Sequence, residues 1–500
     1  MKKNKDTIEL YQFKDFDMDR FIELYLYEVN PHEEIDEETL SVYAHAKTKM
    51  TERKQGVRTE DKVRSKCMYL QDAIIRRAYS KRNNKTFSMS ADILRSVIGK
   101  EYKTMLMVLI EMEYIELGDG HGGTDKPTYY QTGKYSTIYT LRNVEVCKTQ
   151  PFYNAEIKKY KEKTVEGIKN LNDKYTYPYI IKAHGEPFLK RYLTSLDHIR
   201  IEDRGGLNAY IKEKVKDNIN AEPYYHYVVN QLDKKDKVIF RIDVSGRVYH
   251  ILTNLDRELK QYLNIDFSLD CKNSHPLLFN YFIFNKLKIS SLSSFNISKS
   301  LSTLIPDKVY HNDGKYLRNI LINNNIENND VAKMSDDELE YVYMTSTGQL
   351  WDDICSRHPD LERSEVKVEM FKAVFYSHSP VADRWSDYAQ DFKSRFPSVY
   401  RLIGDWKRER KKDEVTEYMA AHHLPIDRGS SSLSIAMMAL EADIFTTILK
   451  RLYAKRWNAV HIHDCIVVPK DGNRNHPTIE AVREIMSEVY REFGLAPTFD

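Results

Sequence analysis

The stretch VHIHDCIVVP, from Val460 to Pro469, constrains this chain more than any other segment. It follows residues 430–456, which read as one long helix opened by the polar run RGSSS, and residues after 472 read as a last helix. Two histidines and an aspartate stand between apolar runs, and a proline closes the stretch. Taken as a single strand, it puts His461, His463 and Cys465 on one face, and Asp464 on the other with Ile462 and Ile466. An aspartate among β-formers is costly to bury unless it is paired or binds a cation. The stretch is therefore either a buried strand with a polar face or the carrier of a metal-binding aspartate. The rest of the chain has to decide.

A chain of 500 residues has the length of about two to four domains. Its hydrophobic content of 41% supports sizeable cores. With 76 basic and 74 acidic residues, net charge does not announce a nucleic-acid binder, so local clustering must carry that argument. Cys67, Cys147, Cys271, Cys355 and Cys465 are scattered and form no CxxC pair. This argues against a disulfide framework or a zinc ribbon and fits a reducing cytoplasm. The first residues carry lysines without an apolar core after them, so no signal peptide is expected. No run of about 18 apolar residues occurs, so no membrane span is expected either.

Residues 1–66 read as a helical arm with weak packing. Residues 67–149 read as a small domain. SMSADILRSVIG offers Ser90 as N-cap and Gly99 as stop, EYKTMLMVLIEMEYIEL runs from helix into strand, and PTYYQTGKYSTIYTLRN alternates like a hairpin arm. Helix, turn, helix and hairpin in that order resemble a winged helix, a domain that binds duplex DNA or protein partners. The basic run RRAYSKRNNK lies just upstream of that helix pair. Residues 150–237 are helix-like, broken at Gly205 and Gly206. Residues 286–350 are rich in Asn and Ser and read as a partly mobile insertion. The block from 360 to 410 is helical. The expected class is α+β, mostly helical.

Chemistry-bearing residues recur at intervals. In IDFSLD a strand ends at Asp270, and an apolar helix opens with Pro276 near its first turn. Asp266 is the rival position, and either could be a helix cap instead. RSEVKVEMFKAVFYS sets Arg363, Lys367, Phe371 and Phe375 at steps of four, along one helix face. Two cations followed by two aromatics match a nucleoside triphosphate, though an ordinary amphipathic helix has the same pattern. In DVSGRVY, Gly246, Arg247 and Tyr249 follow a short strand. The basic run from Trp406 to Lys412 could track phosphates or be a solvated helix face.

In this order the segments resemble the palm and fingers of the DNA polymerase I family and of single-subunit, phage-type RNA polymerases. The resemblance covers residues 238–500, with fingers and insertion at about 281–425. Asp270 matches motif A. Arg363, Lys367 and Phe371 match motif B, with Phe375 where tyrosine is usual, and His463 and Asp464 match the His-Asp pair of motif C. DYAQDFKSRFPSVYRLI is similar to the helix after motif B, and DVSGRVY to a template-holding turn of the phage-type enzymes. The resemblance implies a right-hand architecture, with residues 150–237 as a thumb-like region. The opening stretch then becomes a β-hairpin with Asp464 as metal ligand, His463 beside the primer end and His461 structural.

It also implies nucleotidyl transfer with Asp270 and Asp464 holding two Mg²⁺ ions, Mn²⁺ being the substitute. Arg363 and Lys367 would bind the triphosphate, and Lys367 would also protonate the leaving group. Phe371 and Phe375 would pack on sugar and base. Arg247 and Tyr249 would touch the template–primer duplex. Partners would be a template, a primer or nascent strand, and NTP or dNTP. His275 stands where DNA polymerase I relatives carry the glutamate that excludes the 2′-hydroxyl. Motif C continues as His-Asp-Cys, nearer the His-Asp-Ser of RNA polymerases, so an RNA product is favoured. A small DNA polymerase is the alternative. A non-catalytic DNA-binding initiator with a degenerate palm, and a metallohydrolase using His461, His463 and Asp464, are the rivals from other classes.

Overall fold

A computed structural model describes residues 8–29, 54–79, 86–117, 138–142, 144–150, 152–171, 173, 176–217, 222–242, 245–305, 313–358, 362–377, 379–384, 386–408, 432–472 and 474–500. The chain is α+β and mostly helical. It forms two compact units, Met1–Pro178 with Asp203–Lys234, and Tyr179–Glu202 with Lys235–Asp500. The helical stretch 150–237 is thus shared between the two units. Among the described residues, no helix is long and apolar enough to cross a membrane.

The first unit begins with β1 (Tyr11–Phe13), α1 (Met18–Val29), α2 (Lys54–Ala78) and β2 (Thr86–Ser88). It continues through α3 (Ala91–Ile98), α4 (Tyr102–Glu111), β3 (Ile115–Leu117), β4 (Ile138–Leu141), β5 (Val146–Lys148) and α5 (Ala155–Leu171). Helix α3 starts where the Ser90 hydroxyl accepts the Ile93 N–H, and it stops at Gly99, whose φ of +89° suits glycine. Strands β2, β4 and β3 form an antiparallel sheet in that order. The tip of the expected hairpin and residues 80–85 of the basic run lie outside the described residues.

Across its described residues, the N-terminal segment is not weakly packed. Strand β1 pairs with β5, and Leu10, Tyr11, Phe13, Phe21 and Ile22 are buried in the core of this unit. Its other edge is satisfied by two buried polar side chains of α2. Tyr11 N–H donates to Asp72 at 2.9 Å, and Phe13 N–H donates to Gln71 at 3.1 Å. Counting charged residues cannot reveal such partners, because they lie some 60 positions away.

The chain then runs through α6 (Tyr177–His184) and α7 (Glu186–Asp197), and returns to the first unit for α8 (Arg204–Asp217) and α9 (Glu222–Asp233). In the second unit, β6 (Arg241–Ile242) and β7 (Val248–Tyr249) make a short antiparallel ribbon. Asp243 and Val244 of its turn lie outside the described residues. After β8 (Ile265–Asp270) come α10 (Ser274–Lys286), α11 (Ser291–Leu304), α12 (Gly314–Asn323), α13 (Asp336–Ser346), α14 (Leu350–Arg357) and α15 (Arg363–Met370). A π-turn at Phe371–Phe375 leads to α16 (Asp387–Arg395) and α17 (Pro397–Arg408). The last elements are α18 (Ser432–Ala454), β9 (Val460–Ile462), β10 (Cys465–Pro469) and α19 (Ile479–Glu492).

Strands β8, β10 and β9 form the antiparallel sheet on which the site is built. Helix α18 lies against β9, α10 and α19. Its residues Leu433, Met437, Phe445, Ile448 and Leu452 are fully buried, as a helix enclosed on several sides requires. The Asn- and Ser-rich stretch is an integral part of this unit, not a mobile insertion, across its described residues. Helix α13 is buried without a break from Glu338 to Ser346. Two of its polar side chains are matched internally: Tyr341 Oη–H donates to the Pro276 carbonyl at 2.9 Å, and Asn280 donates to Thr345 at 2.8 Å. At Gly314 a Cβ would stand 2.1 Å from the Asp336 carbonyl oxygen, so glycine permits the close approach of α12 to the start of α13.

Candidate active site

The opening stretch is two strands, not one. Cys465 faces Ile462 and Ile466 faces His461 across the β9–β10 pair, which leaves His463 and Asp464 as a two-residue turn. The single-strand alternation of His461, His463 and Cys465 therefore fails. His463 takes a φ of +56°, a left-handed position that favours glycine. On its other side β10 pairs with β8, and Cys465 faces Asp270. The Cys271 N–H donates to the Asp464 carbonyl at 3.1 Å. The register thus brings Asp270, at the end of β8, beside Asp464, in the turn.

Both carboxyls resist ionisation. Burial pushes Asp464 up to about 8, and the neighbouring Glu441 and Asp270 add to the shift. Asp270 is raised by burial, countered by Lys367 and reinforced by Asp500. Asp500 also exchanges backbone hydrogen bonds with Asp270, at 3.0 and 3.3 Å. Two adjacent carboxyls, of which Asp270 raises the proton affinity of the more buried Asp464, are a donor set that a divalent cation would relieve. Among the described residues, no group of three or more His, Cys, Asp and Glu surrounds a common metal position. A hard cation such as Mg²⁺ takes one or two carboxylates and completes its shell with water and phosphate oxygens.

Helix α15 presents Lys367 to this pair. Lys367 is half-buried, feels the charges of Asp270 and Asp464, and lies 6.0 Å over the Trp351 ring. Burial and the nearby Arg363 push its ammonium below the usual lysine value. Arg363 is half-exposed and paired with Asp352 at 3.1 Å. Phe371 stacks on Tyr376 at 5.0 Å and meets Trp351 at 5.4 Å and His275 at 5.8 Å.

Phe375 does not join them. It is fully buried between Phe279, at 6.2 Å, and Phe392, at 5.8 Å, so it has no face for a nucleotide. The reason is the π-turn. Tyr376 N–H donates to the Phe371 carbonyl at 2.7 Å, five residues back, so the step of four becomes a step of five. Tyr376 then takes the place expected for Phe375.

His275 is nearly buried. Its Nδ1 is hydrogen-bonded to the Tyr376 hydroxyl, and its Nε2 lies 2.9 Å from Glu441 Oε2. Arg247 is not turned to open surface. Its guanidinium pairs with Glu441 Oε1 at 2.7 Å, and its side chain is only 12% exposed. Tyr249 packs edge-on against His463 at 5.9 Å. His461 is structural as expected: it is buried, and its carbonyl accepts from His250 Nε2 at 3.1 Å. Asp266 pairs with His476 at 3.0 Å. In the basic run, Trp406 packs edge-on against Phe282 and Lys407 turns inward, capping the Val374 carbonyl and reaching Ser377 at 2.7 Å. Residues 409–412 of that run, and most of RGSSS, lie outside the described residues.

Glu441 and Tyr376 are the members that sequence reasoning missed. Glu441 had a signal, an acid that, with Asp443, interrupts the otherwise apolar run from AMMAL into ADIF. Tyr376 had none, because no residue pattern announced the π-turn. No family model matches this chain, and neither any curated protein nor any solved structure does.

Proposed function

We propose that this chain is a template-directed nucleic-acid polymerase, a nucleotidyltransferase. The observation that carries the reading is the juxtaposition of Asp270, at the end of β8, and Asp464, in the β9–β10 turn, with Lys367 near both. Two Mg²⁺ ions held by these aspartates, or Mn²⁺ in their place, would supply activation of the primer 3′-hydroxyl and charge neutralisation at the leaving group. Lys367 and Arg363 bind the triphosphate, Arg363 by exchanging Asp352 for phosphate. Lys367, with its lowered proton affinity, is suited to donate a proton to the departing pyrophosphate. Phe371 and Tyr376 supply the aromatic surface for sugar and base, and His463 borders the primer end.

RNA is the favoured product. His275 replaces the acidic sugar-excluding residue, and Tyr376 supplies a hydroxyl beside it. The first unit, with the order α2, β2, α3, α4, β3 and β4, is read as a winged-helix-like module that contacts duplex DNA or a protein partner. The α5–α9 helices are read as the thumb-like part. Primer extension on a DNA template with Mg²⁺, offering rNTPs and dNTPs separately, tests the reading beside Asp464→Asn. Extension with rNTPs, lost in the variant, is expected. Extension with dNTPs alone would make it a small DNA polymerase. No extension on primed or unprimed templates would favour a non-catalytic initiator.

A further inference from the structure

We propose that the first turn of α14 is a cradle that holds both cations of α15 in place for an anion, with Trp351 positioning Lys367 by its indole face and Asp352 holding Arg363 by charge. That the anion is a triphosphate rests on the polymerase reading. The cradle itself does not.

Helix α14 lies against α15. Trp351 is 2% exposed, and Leu350 and Ile354 on the same helix are fully buried, so the indole is fixed by the core. One turn of α15 meets this ring twice. Lys367 Nζ lies 6.0 Å from its centroid, and the Phe371 ring meets it edge-on at 5.4 Å. Residues four apart share a helix face, so a single indole sets the rotation of α15 about its own axis.

The two cations are held differently. Arg363 is paired with Asp352 at 3.1 Å. Among the described residues, no hydrogen bond or ion pair holds Lys367, and Asp270, Asp464 and Asp352 act on it by charge without pairing. The face of an indole attracts an ammonium without neutralising it. Lys367 is thus oriented and keeps its charge for a phosphate oxygen, whereas Arg363 must first give up a carboxylate. Loss of the indole frees Lys367 to wander and weakens anion binding. Loss of the Asp352 charge removes a competitor and strengthens it. Neighbouring residues of one turn therefore act with opposite signs, which general damage to α14 would not produce.

The first measurement needs no polymerase chemistry. In protein carrying ¹³C-lysine, with Lys367→Arg to assign the signal, the Lys367 Cε protons should lie upfield of solvent-exposed lysines through the indole ring current. Inorganic tripolyphosphate, added with Mg²⁺, should draw the ammonium off the ring and remove that shift. The shift should be smaller in Trp351→Phe and absent in Trp351→Leu. A Lys367 signal among those of exposed lysines in the unmutated protein overturns the proposal, and so does a shift that tripolyphosphate leaves in place.

Calorimetry with tripolyphosphate then reads the signs. Affinity should fall about tenfold in Trp351→Leu, fall less in Trp351→Phe, and rise about threefold in Asp352→Asn. A fall in both Trp351→Phe and Asp352→Asn overturns the proposal. Should Trp351→Leu fail to fold, those two variants still decide, because Asp352 is largely exposed and Trp351→Phe keeps a ring. In primer extension the nucleotide KM should move with the same opposite signs, and a rise in both overturns the triphosphate side. Absence of extension in the unmutated protein removes the polymerase reading, while the ring shift and the tripolyphosphate affinities still judge the cradle.

Discussion

Asp464 is held at a cost, because its carboxyl is enclosed next to Glu441 and Asp270. Its raised proton affinity means that the folded state favours the neutral acid. The stabilising share is complete below the usual carboxylic range and is lost as pH rises through about 8. Asp464→Asn should therefore abolish extension yet raise stability at pH 8 in EDTA, by about 1.4 kcal/mol or more, one pKa unit's worth. Urea unfolding measures this, and Mg²⁺ should stabilise the unmutated protein while leaving the variant unmoved. A variant less stable than its parent would contradict the account. Phe375 and Tyr376 make the complementary pair. Phe375→Ala should cost roughly 3–5 kcal/mol in the same assay, since it empties a core position. Tyr376→Phe should cost less, about 1–3 kcal/mol for the His275 nitrogen left without its partner, and act on nucleotide kinetics. Both aspartates were legible from an acid at a strand end and an acid among β-formers. The exchange of Phe375 for Tyr376 was not, because one extra residue in a helical turn leaves the composition untouched.

At the scale of elements, the hairpin and the π-turn place the chemistry. The β9–β10 turn puts a histidine where φ is +56°, and the left-handed region strains any residue with a Cβ. His463→Gly should relieve that strain and stabilise the fold by about 0.5–1 kcal/mol, offset in part by the added freedom of the unfolded chain. Extension should fall in the same variant if the imidazole borders the primer end. A thermal scan with a parallel rate measurement tests both, and equal activity would remove His463 from the site. The π-turn survives because Lys407 reaches back to the Val374 carbonyl and Ser377. Burial pushes that ammonium down to about 8. A long helix before the last hairpin could be read directly, since α18 is a long, mostly apolar stretch without proline or glycine. The packed state of the Asn- and Ser-rich helices could not, because Ser293 and Asn296 are matched by Glu327, some 30 positions on, and the burial of α11 is set by neighbours outside its own sequence.

Over the whole molecule, buried histidines set the acid limit. Burial pushes His250 down to about 4 and His461 down to about 3, below the usual 6.5. The unfolded chain binds these protons more readily, so their stabilising share is full above pH 6.5 and declines as pH falls from there. Glu441, held at about 2 by His275 and Arg247 against its own burial, loses its share only below the usual 4.5. In Asp464→Asn, which removes the opposing trend, the urea midpoint should drop steadily from pH 7 to pH 5. A flat profile would mean that these histidines are protonated in the fold. The sequence alone determined the mostly helical α+β class, the helix and strand identities around the site, and the two aspartates. Those rest on periodicity and on the cost of burying charge, which act over a few residues. The resemblance already implied a hairpin at the opening stretch, and the strand register bears that out; tertiary structure decided which two residues form its turn, that Phe375 is core and that Glu441 holds Arg247 and His275. Each of these depends on strand register, on a one-residue phase change or on contacts more than 100 positions apart, and no local pattern encodes them.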